Sequence, residues 1–262
     1  KDVRVEDIFI GNGVSELIVM AMQGLLNNDD EVLIPAPDYP LWTAAVSLSG
    51  GKPMHYQCDD ENFWYPNLED MAAKINDTTT AIVLINPNNP TGAVANRKQL
   101  TQLVEFARKN KSIIIFDAAY SEYISRDLPK SIFEIEGAKE VAIEVNSLSK
   151  PVGFTGVRLG WTVIPNELKF DDGTSVKDDW NRVMTTLFNG ASNVAQRGAL
   201  AALDDDGIKE MKQTTSYYME NAKIIKEGLE SLDFEANFLG LNTLLKTYDF
   251  VKIKFIINNL KI

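Results

Sequence analysis

The sequence of 262 residues contains one cysteine, Cys58, and one histidine, His55. A single cysteine cannot form an internal disulfide or a cysteine-based metal cluster, so a reducing, cytoplasmic setting is expected. A single histidine excludes a histidine-rich zinc site and argues against a Ser-His-Asp hydrolase, and we interpret His55 as structural. The sequence therefore predicts chemistry that depends on lysine, aspartate, tyrosine or an organic cofactor.

Long apolar runs are also missing. No stretch approaches the roughly 18 consecutive apolar residues of a membrane span. The first residues, "KDVRVEDIFIGNG", lack the basic start and apolar core of a signal peptide. The net charge of −11 argues against a nucleic-acid surface, because binding phosphates requires clustered lysine and arginine. What remains is the composition of an ordinary globular protein with a sizeable core.

Short apolar runs alternate with helical patterns along most of the chain. "AIVLI" and "SIIIF" are typical of strands buried on both faces, whereas "RKQLTQLVEFARKN" has apolar residues at helical spacing. Strand, helix and strand in succession predict a parallel α/β sheet with right-handed crossovers. "QTTSYYMENAKIIKEGLESL" predicts a long helix, and the stretch after it has no assigned structure.

Four predicted strand ends carry polar residues: "GNGVSE", "NPNNPTG", "DAAY" and "NSLSK". Loops at the carboxyl ends of strands in an open α/β sheet line one crevice, so these segments are expected to meet. Asp117 ends an apolar strand, where a carboxylate is costly unless it meets a cation, although it could instead cap a helix. Lys150 could similarly be a solvated loop residue. The four segments together favour a functional site.

The order of these motifs, with an arginine eight residues after the lysine, resembles the fold-type I pyridoxal-phosphate aminotransferases over residues 5 to about 235. The resemblance implies a three-layer α/β/α large domain with a mostly parallel sheet over residues 1–205. Residues 206–262 would then be an interdomain helix and an incomplete or divergent small domain. It also implies pyridoxal 5′-phosphate as cofactor, an amino acid and a 2-oxoacid as substrates, and a homodimer.

The same resemblance implies roles for individual residues. Lys150 would hold the cofactor covalently and later carry a proton. Asp117 would pair with the pyridine nitrogen, while Tyr120 and Asn89 would donate hydrogen bonds to the ring oxygen. Tyr39 would stack on the ring face, with a core tyrosine as the alternative.

A cradle for the cofactor phosphate is implied as well. The backbone N–H groups of Val14 and Ser15 would lie at a helix N-terminus, which is a ready anion site. Ser147 and Ser149 would add hydroxyls, and Arg158 a planar guanidinium. Three glycines are expected to let the backbone turn closely around that arginine: Gly153, Gly156 and Gly160.

The two halves of the chain resemble different aminotransferases. Residues 86 to about 235 resemble LL-diaminopimelate aminotransferase of lysine biosynthesis, through stretches such as "FNGASNVAQRGALAAL". Asn193 of that stretch would contact the substrate. Residues 5–85 resemble the alanine aminotransferase group through "PAPDYPLWTAAVSLSGGK". Diaminopimelate is therefore the preferred substrate, and alanine the alternative.

Two expected features of these families are missing from the sequence. Both families have an N-terminal segment that closes over the substrate and a small-domain arginine that binds the substrate α-carboxylate. Neither that segment nor any arginine after about residue 235 is present. A cofactor-binding relative without turnover is thus a second hypothesis. A lyase, decarboxylase or synthase is a third, since these enzymes share the lysine and aspartate pair.

Overall fold

The computed structural model describes residues 3–59 and 61–230. In these residues, the strands form a seven-stranded sheet with the order β1-β7-β6-β5-β4-β2-β3. Strands β2 to β6 are parallel, and β7 runs antiparallel to both of its neighbours. The strands are β1 Ile8–Gly11, β2 Glu31–Ala36, β3 Lys52–Gln57, β4 Thr79–Ile85, β5 Ile113–Asp117, β6 Ala142–Ser147 and β7 Gly160–Val163.

Helices connect the strands and cover both faces of the sheet. A π-helical stretch, Met184–Phe188, directly follows the fifth helix, and short 3₁₀ turns lie at Val5–Asp7, Ser121–Tyr123, Ile132–Glu134 and Ala138–Glu140. The α-helices are α1 Val14–Leu25, α2 Leu41–Leu48, α3 Leu68–Lys74, α4 Arg97–Asn110, α5 Val176–Val183, α6 Asn193–Ala202 and α7 Asp205–Glu230.

Helix α4 shows how local sequence sets an element. The Asn96 side chain accepts a hydrogen bond from the Gln99 backbone N–H, and the Gln99 side-chain oxygen accepts one from the Asn96 backbone N–H, which forms a capping box. Leu100, Leu103 and Val104 share the buried face of the helix. This amphipathic pattern was predicted from the sequence, and the structure contains the helix.

The alternation along β5 divides the core into two layers. Ile113 and Ile115 belong to one buried cluster, which also contains residues of α1, α2 and α5. Ile114 and Phe116 belong to the other, which contains the apolar face of α4. The sheet therefore lies between two helical layers, and the predicted three-layer α/β/α fold with a mostly parallel sheet is confirmed.

The long predicted helix begins earlier than its apolar pattern indicates. Helix α7 begins at Asp205 because the Asp204 side chain accepts a hydrogen bond from the Gly207 backbone N–H, which caps the helix. The division of the chain into residues 1–205 and 206–262 stays a prediction, since residues 231–262 lie outside the described residues. None of the described helices combines the length and the apolarity needed to cross a membrane.

Candidate active site

Asp117 lies at the carboxyl end of β5 and is only 4% exposed. Its Oδ1 accepts a hydrogen bond from the Ala119 backbone N–H at 3.0 Å, and its Oδ2 accepts one from the Trp42 indole N–H at 3.2 Å. Burial raises the pKa of Asp117 to about 6, although both hydrogen bonds and the charge of Lys150 oppose the rise. A carboxylate is thus held in an apolar layer with two donors and one cation facing it.

Lys150 follows β6 and is half-buried. Its Nζ lies 5.3 Å from the centroid of the Tyr120 ring, and its carbonyl oxygen accepts a hydrogen bond from the Tyr123 hydroxyl at 3.0 Å. Burial lowers the pKa of Lys150; the charge of Asp117 opposes this effect and that of Arg158 adds to it. The side chain therefore holds its proton less tightly than a solvated lysine, which favours a nucleophilic amine.

Arg158 lies against the start of α1. Its Nη2 is 2.5 Å from the position that a Cβ on Gly13 would occupy, and Gly13 has a φ of +84°. Its Nη1 donates hydrogen bonds to the Ser149 Oγ at 3.3 Å and to the Thr155 carbonyl at 3.1 Å. The first N–H groups of α1, beginning at Val14, have no intrahelical acceptor. The guanidinium and a helix N-terminus therefore meet in an arrangement that favours an anion.

The two serines and Gly160 extend this cradle. Ser147 and Ser149 are both buried, and the Ser147 Oγ accepts a hydrogen bond from the Ser149 backbone N–H at 3.0 Å. A Cβ on Gly160 would lie 2.6 Å from the Asn146 carbonyl oxygen and 3.1 Å from the Val14 backbone nitrogen. Only a glycine allows β7 to pass so close to both β6 and α1.

The predicted role of the other two glycines needs correction. A Cβ on Gly153 or Gly156 would meet no heavy atom within 4 Å, so neither is required for close approach to the arginine. Gly153 adopts a φ of +76°, which is a turn requirement only. The glycine that makes room for Arg158 is Gly13. The sequence does not reveal this contact, because the two residues meet only in the tertiary structure.

Three predicted residues are less closely tied to this cluster. Tyr39 is half-buried just before α2 and packs against the core layer that contains Ile115. Asn89 is half-buried in the turn after β4, and Asn193 is the exposed first residue of α6. Among the described contacts, none joins these three side chains to Lys150 or Asp117. Their roles in cofactor or substrate binding stay predictions, as does that of Ser15.

Sequence reasoning missed two residues that contact the central pair, namely Trp42 and Tyr123. Trp42 looks like an ordinary core residue in "PDYPLW", since the pattern does not reveal the partner of its indole N–H. Tyr123 lies three residues after Tyr120, and its sequence context indicates no contact with Lys150. The available signal was that buried Trp and Tyr side chains need a hydrogen-bond partner.

A separate cavity of about 490 Å³ lies beside the turn after β4. Five aromatic side chains are among its lining residues, and neither Lys150 nor Asp117 contributes to it. Cys58 lines the cavity, but burial raises the pKa of its thiol to about 12, so it is not a nucleophile at neutral pH. The chemistry of the chain therefore centres on the lysine and aspartate cluster.

A sequence model of the family "Aminotransferase class I and II" matches residues 1–245. The chain belongs to this family. Aminotransferases of class I and II are pyridoxal-phosphate-dependent enzymes, and the resemblance that the motifs predicted is confirmed.

Relatives come from both groups that the sequence resembles. The LL-diaminopimelate aminotransferase of Protochlamydia amoebophila is 43% identical over 243 residues, covering 88% of this chain and 58% of that protein. The glutamate-pyruvate aminotransferase AlaA of Escherichia coli is 51% identical over 173 residues, covering 66% and 43%. The solved L,L-diaminopimelate aminotransferase from Chlamydomonas reinhardtii matches with a TM-score of 0.81 and 44% identity, covering 88% and 58%. The chain thus spans between 43% and 58% of the length of these relatives.

The residues of the site fit the cofactor of the family. A buried carboxylate with a raised pKa suits a protonated ring nitrogen, since a cation offsets the cost of burying the charge. A lysine with a lowered pKa suits an aldehyde. The cradle formed by Gly13 and Arg158 suits a phosphate, because the absence of a Cβ at Gly13 lets the guanidinium approach the start of α1.

Proposed function

We propose that this chain catalyses pyridoxal-phosphate-dependent transfer of an amino group between an amino acid and a 2-oxoacid. The observation that carries the proposal is the convergence of Lys150 and Asp117 at the ends of β6 and β5, beside the Arg158 cradle at the start of α1. An amine, an acid and an anion cradle in one half-buried site match the three functional groups of the cofactor.

The residues around the cofactor would orient it and set its charge. Arg158, Ser149 and the first N–H groups of α1 would hold the phosphate, and Asp117 would accept a hydrogen bond from the ring N–H. Tyr120 and Asn89 would donate to the ring oxygen. When bound, pyridoxal phosphate supplies an aldehyde and an electron-withdrawing ring that stabilises negative charge on the substrate carbon.

Lys150 has two tasks in this proposal. Its amine would hold the cofactor covalently, and its Nζ would accept the proton from the substrate Cα. Both tasks require the neutral amine, which burial and the nearby Arg158 favour. The Tyr120 ring, whose centroid lies 5.3 Å from Nζ, would offer a cation–π contact to the protonated amine.

LL-diaminopimelate is the substrate that we propose first, because the relatives that match the larger share of the chain carry that name. Alanine with a 2-oxoacid is the second candidate, supported by the higher identity to AlaA over fewer residues. Asn193 would contribute to the substrate site, and Tyr39 would face the ring. A homodimer and a cytoplasmic location belong to the same proposal, the latter because Cys58 is a buried, unpaired thiol.

The experiment combines absorbance with covalent trapping. The protein with pyridoxal phosphate should show a visible band, and borohydride should fix the cofactor to Lys150, as located by peptide mass spectrometry. Adding LL-diaminopimelate, alanine or glutamate separately should bleach the band with the amino acid that is used. Lys150→Ala should lose the band, whereas Lys98→Ala, at an exposed lysine of α4, should keep it.

Three results would contradict the proposal. A band of wild-type intensity in Lys150→Ala would exclude this lysine as the attachment point. A trapped cofactor that no amino acid bleaches would leave a cofactor-binding protein without turnover, and loss of carbon dioxide or ammonia without a 2-oxoacid product would indicate a lyase or decarboxylase.

A further inference from the structure

Two buried tryptophans lie in the same core layer and differ in their indole N–H groups. Trp42 is 0% exposed and donates to the Asp117 carboxylate at 3.2 Å. Trp180 is 2% exposed, and its Nε1 has no hydrogen-bond partner in the part of the chain that the structure describes. Both pack in the cluster of α1, α2 and α5. The chain thus contains a matched pair, one indole with an acceptor and one without.

The side chain that donates to Asp117 is the Trp42 indole, which does not itself titrate. An indole N–H can only donate, and it neither gains nor loses a proton at physiological pH. Donation to a carboxylate is stronger than donation to a neutral carboxyl group, so the bond from Trp42 favours the ionised form of Asp117 at every working pH. The Ala119 backbone N–H donates to the other carboxylate oxygen, Oδ1, so both oxygens are held by hydrogen bonds.

We propose that Trp42 is a positioning residue that orients the Asp117 carboxylate and keeps it ionised toward the ring nitrogen of the cofactor. The role of this contact in binding the cofactor rests on the proposed function. The effect of Trp42 on the Asp117 carboxyl group can be measured without cofactor. The groups that face Asp117 are the Trp42 indole, the Ala119 N–H and the Lys150 ammonium. Of the three, the indole donor is the one that a conservative substitution removes without changing a charge.

The test compares Trp42→Phe with Trp180→Phe in the protein without cofactor. The titration of Asp117 is followed by NMR of ¹³C-labelled aspartate carboxyls, with its signal assigned by Asp117→Asn. Loss of a hydrogen bond to a charged group corresponds to about tenfold tighter proton binding. Trp42→Phe should therefore raise the pKa of Asp117 by this amount, and Trp180→Phe should leave it unchanged, although both lose an indole from the same layer.

A second measurement uses Trp42→His, which restores an N–H donor in a smaller ring. It should recover part of the wild-type titration and part of the wild-type position of the visible band after cofactor is added. The inference is overturned if the pKa of Asp117 is the same in Trp42→Phe and Trp180→Phe, whether or not it differs from wild type. The two proposals can fail separately. If the Asp117 pKa shifts as expected but no amino acid bleaches the band, the proposed transamination is wrong and the effect of Trp42 on the carboxylate still holds.

Discussion

At the scale of single residues, burial disfavours the charged forms of both Asp117 and Lys150. Asp117 is a carboxylate in an apolar layer, and burial alone would keep it protonated over much of the acidic range. Lys150 is an amine whose burial disfavours its proton. Both effects disfavour the charged forms of these two groups, and both suit a cofactor that brings a positive ring nitrogen and an aldehyde.

Asp117→Asn should therefore stabilise the protein without cofactor at neutral pH. The pKa of Asp117 rises from 3.8 to about 6 in the folded state, so the folded protein retains a proton that the unfolded chain releases between these values. Stability then falls as pH rises through this window, by about 3 kcal/mol in total. The variant should match wild type at pH 4 and exceed it by up to about 3 kcal/mol at pH 7 in urea unfolding.

The control for this prediction is Asp77→Asn, at an exposed turn residue before β4. It should leave the difference in the free energy of unfolding between pH 4 and pH 7 unchanged. The reasoning about Asp117 is wrong if Asp117→Asn is less stable than wild type at pH 7. The same variant should bind pyridoxal phosphate more weakly, because the ring nitrogen loses its acidic partner.

At the scale of elements, the phosphate cradle depends on three segments that approach closely. The start of α1, the end of β6 and the first residue of β7 meet where Gly160 passes the Asn146 carbonyl and the Val14 nitrogen. Arg158 itself adopts a φ of +68°, a backbone conformation that is uncommon for residues other than glycine. Such a conformation persists only where the surrounding structure holds it, here by the hydrogen bonds of the guanidinium and the pairing of β7.

Gly13→Ala should weaken cofactor binding through this contact. The new Cβ would lie 2.5 Å from the Arg158 Nη2, so the guanidinium must move away from the helix N-terminus. Loss of a charge-assisted contact to phosphate corresponds to about tenfold weaker binding or more. Titration of the protein with pyridoxal phosphate, followed by absorbance, measures the change.

Gly173→Ala is the matched control for this variant. Gly173 has the same φ of +84°, but a Cβ there would meet no heavy atom within 4 Å. It carries the cost of a positive φ, about 1 kcal/mol or more, without the collision. Equal loss of cofactor affinity in both variants would mean that backbone strain, and not displacement of Arg158, is responsible.

At the scale of the whole molecule, the sheet brings distant segments to one edge. Strands β4, β5 and β6 are adjacent and parallel, so the segments after them, which contain Asn89, Asp117 and Lys150, leave the sheet at the same edge. Apolar side chains are also left exposed outside the core, including Val194 at 82% and Leu200 at 64% on α6. We expect the exposed Val194 side chain to lie in the interface of the proposed homodimer.

Val194→Asp should therefore dissociate the proposed homodimer. A buried, unpaired carboxylate at an interface is strongly unfavourable, so the variant should sediment as a monomer where wild type sediments as a dimer. Leu48→Asp places the same charge at an equally exposed apolar residue, 87% exposed at the end of α2, and should leave the dimer intact. A wild-type monomer at micromolar concentration would refute the homodimer.

The sequence by itself determined the class of fold, the positions of the main strands and helices, and the chemical identity of the central residues. Ile and Val runs such as "AIVLI", and the amphipathic spacing of α4, are local patterns, so they can be interpreted without knowledge of the fold. The motif order around Asp117 and Lys150 likewise indicates the family from the sequence alone.

Tertiary structure alone decided which partners these residues have. Trp42 and Asp117 are 75 residues apart in the chain, and no local pattern says that an indole N–H will reach that carboxylate. The contact between Gly13 and Arg158 is hidden for the same reason, and of the three glycines that the sequence favours near Arg158 only Gly160 makes a close approach. Periodicity specifies which face of an element is buried, whereas the partner across that face depends on how the elements pack together.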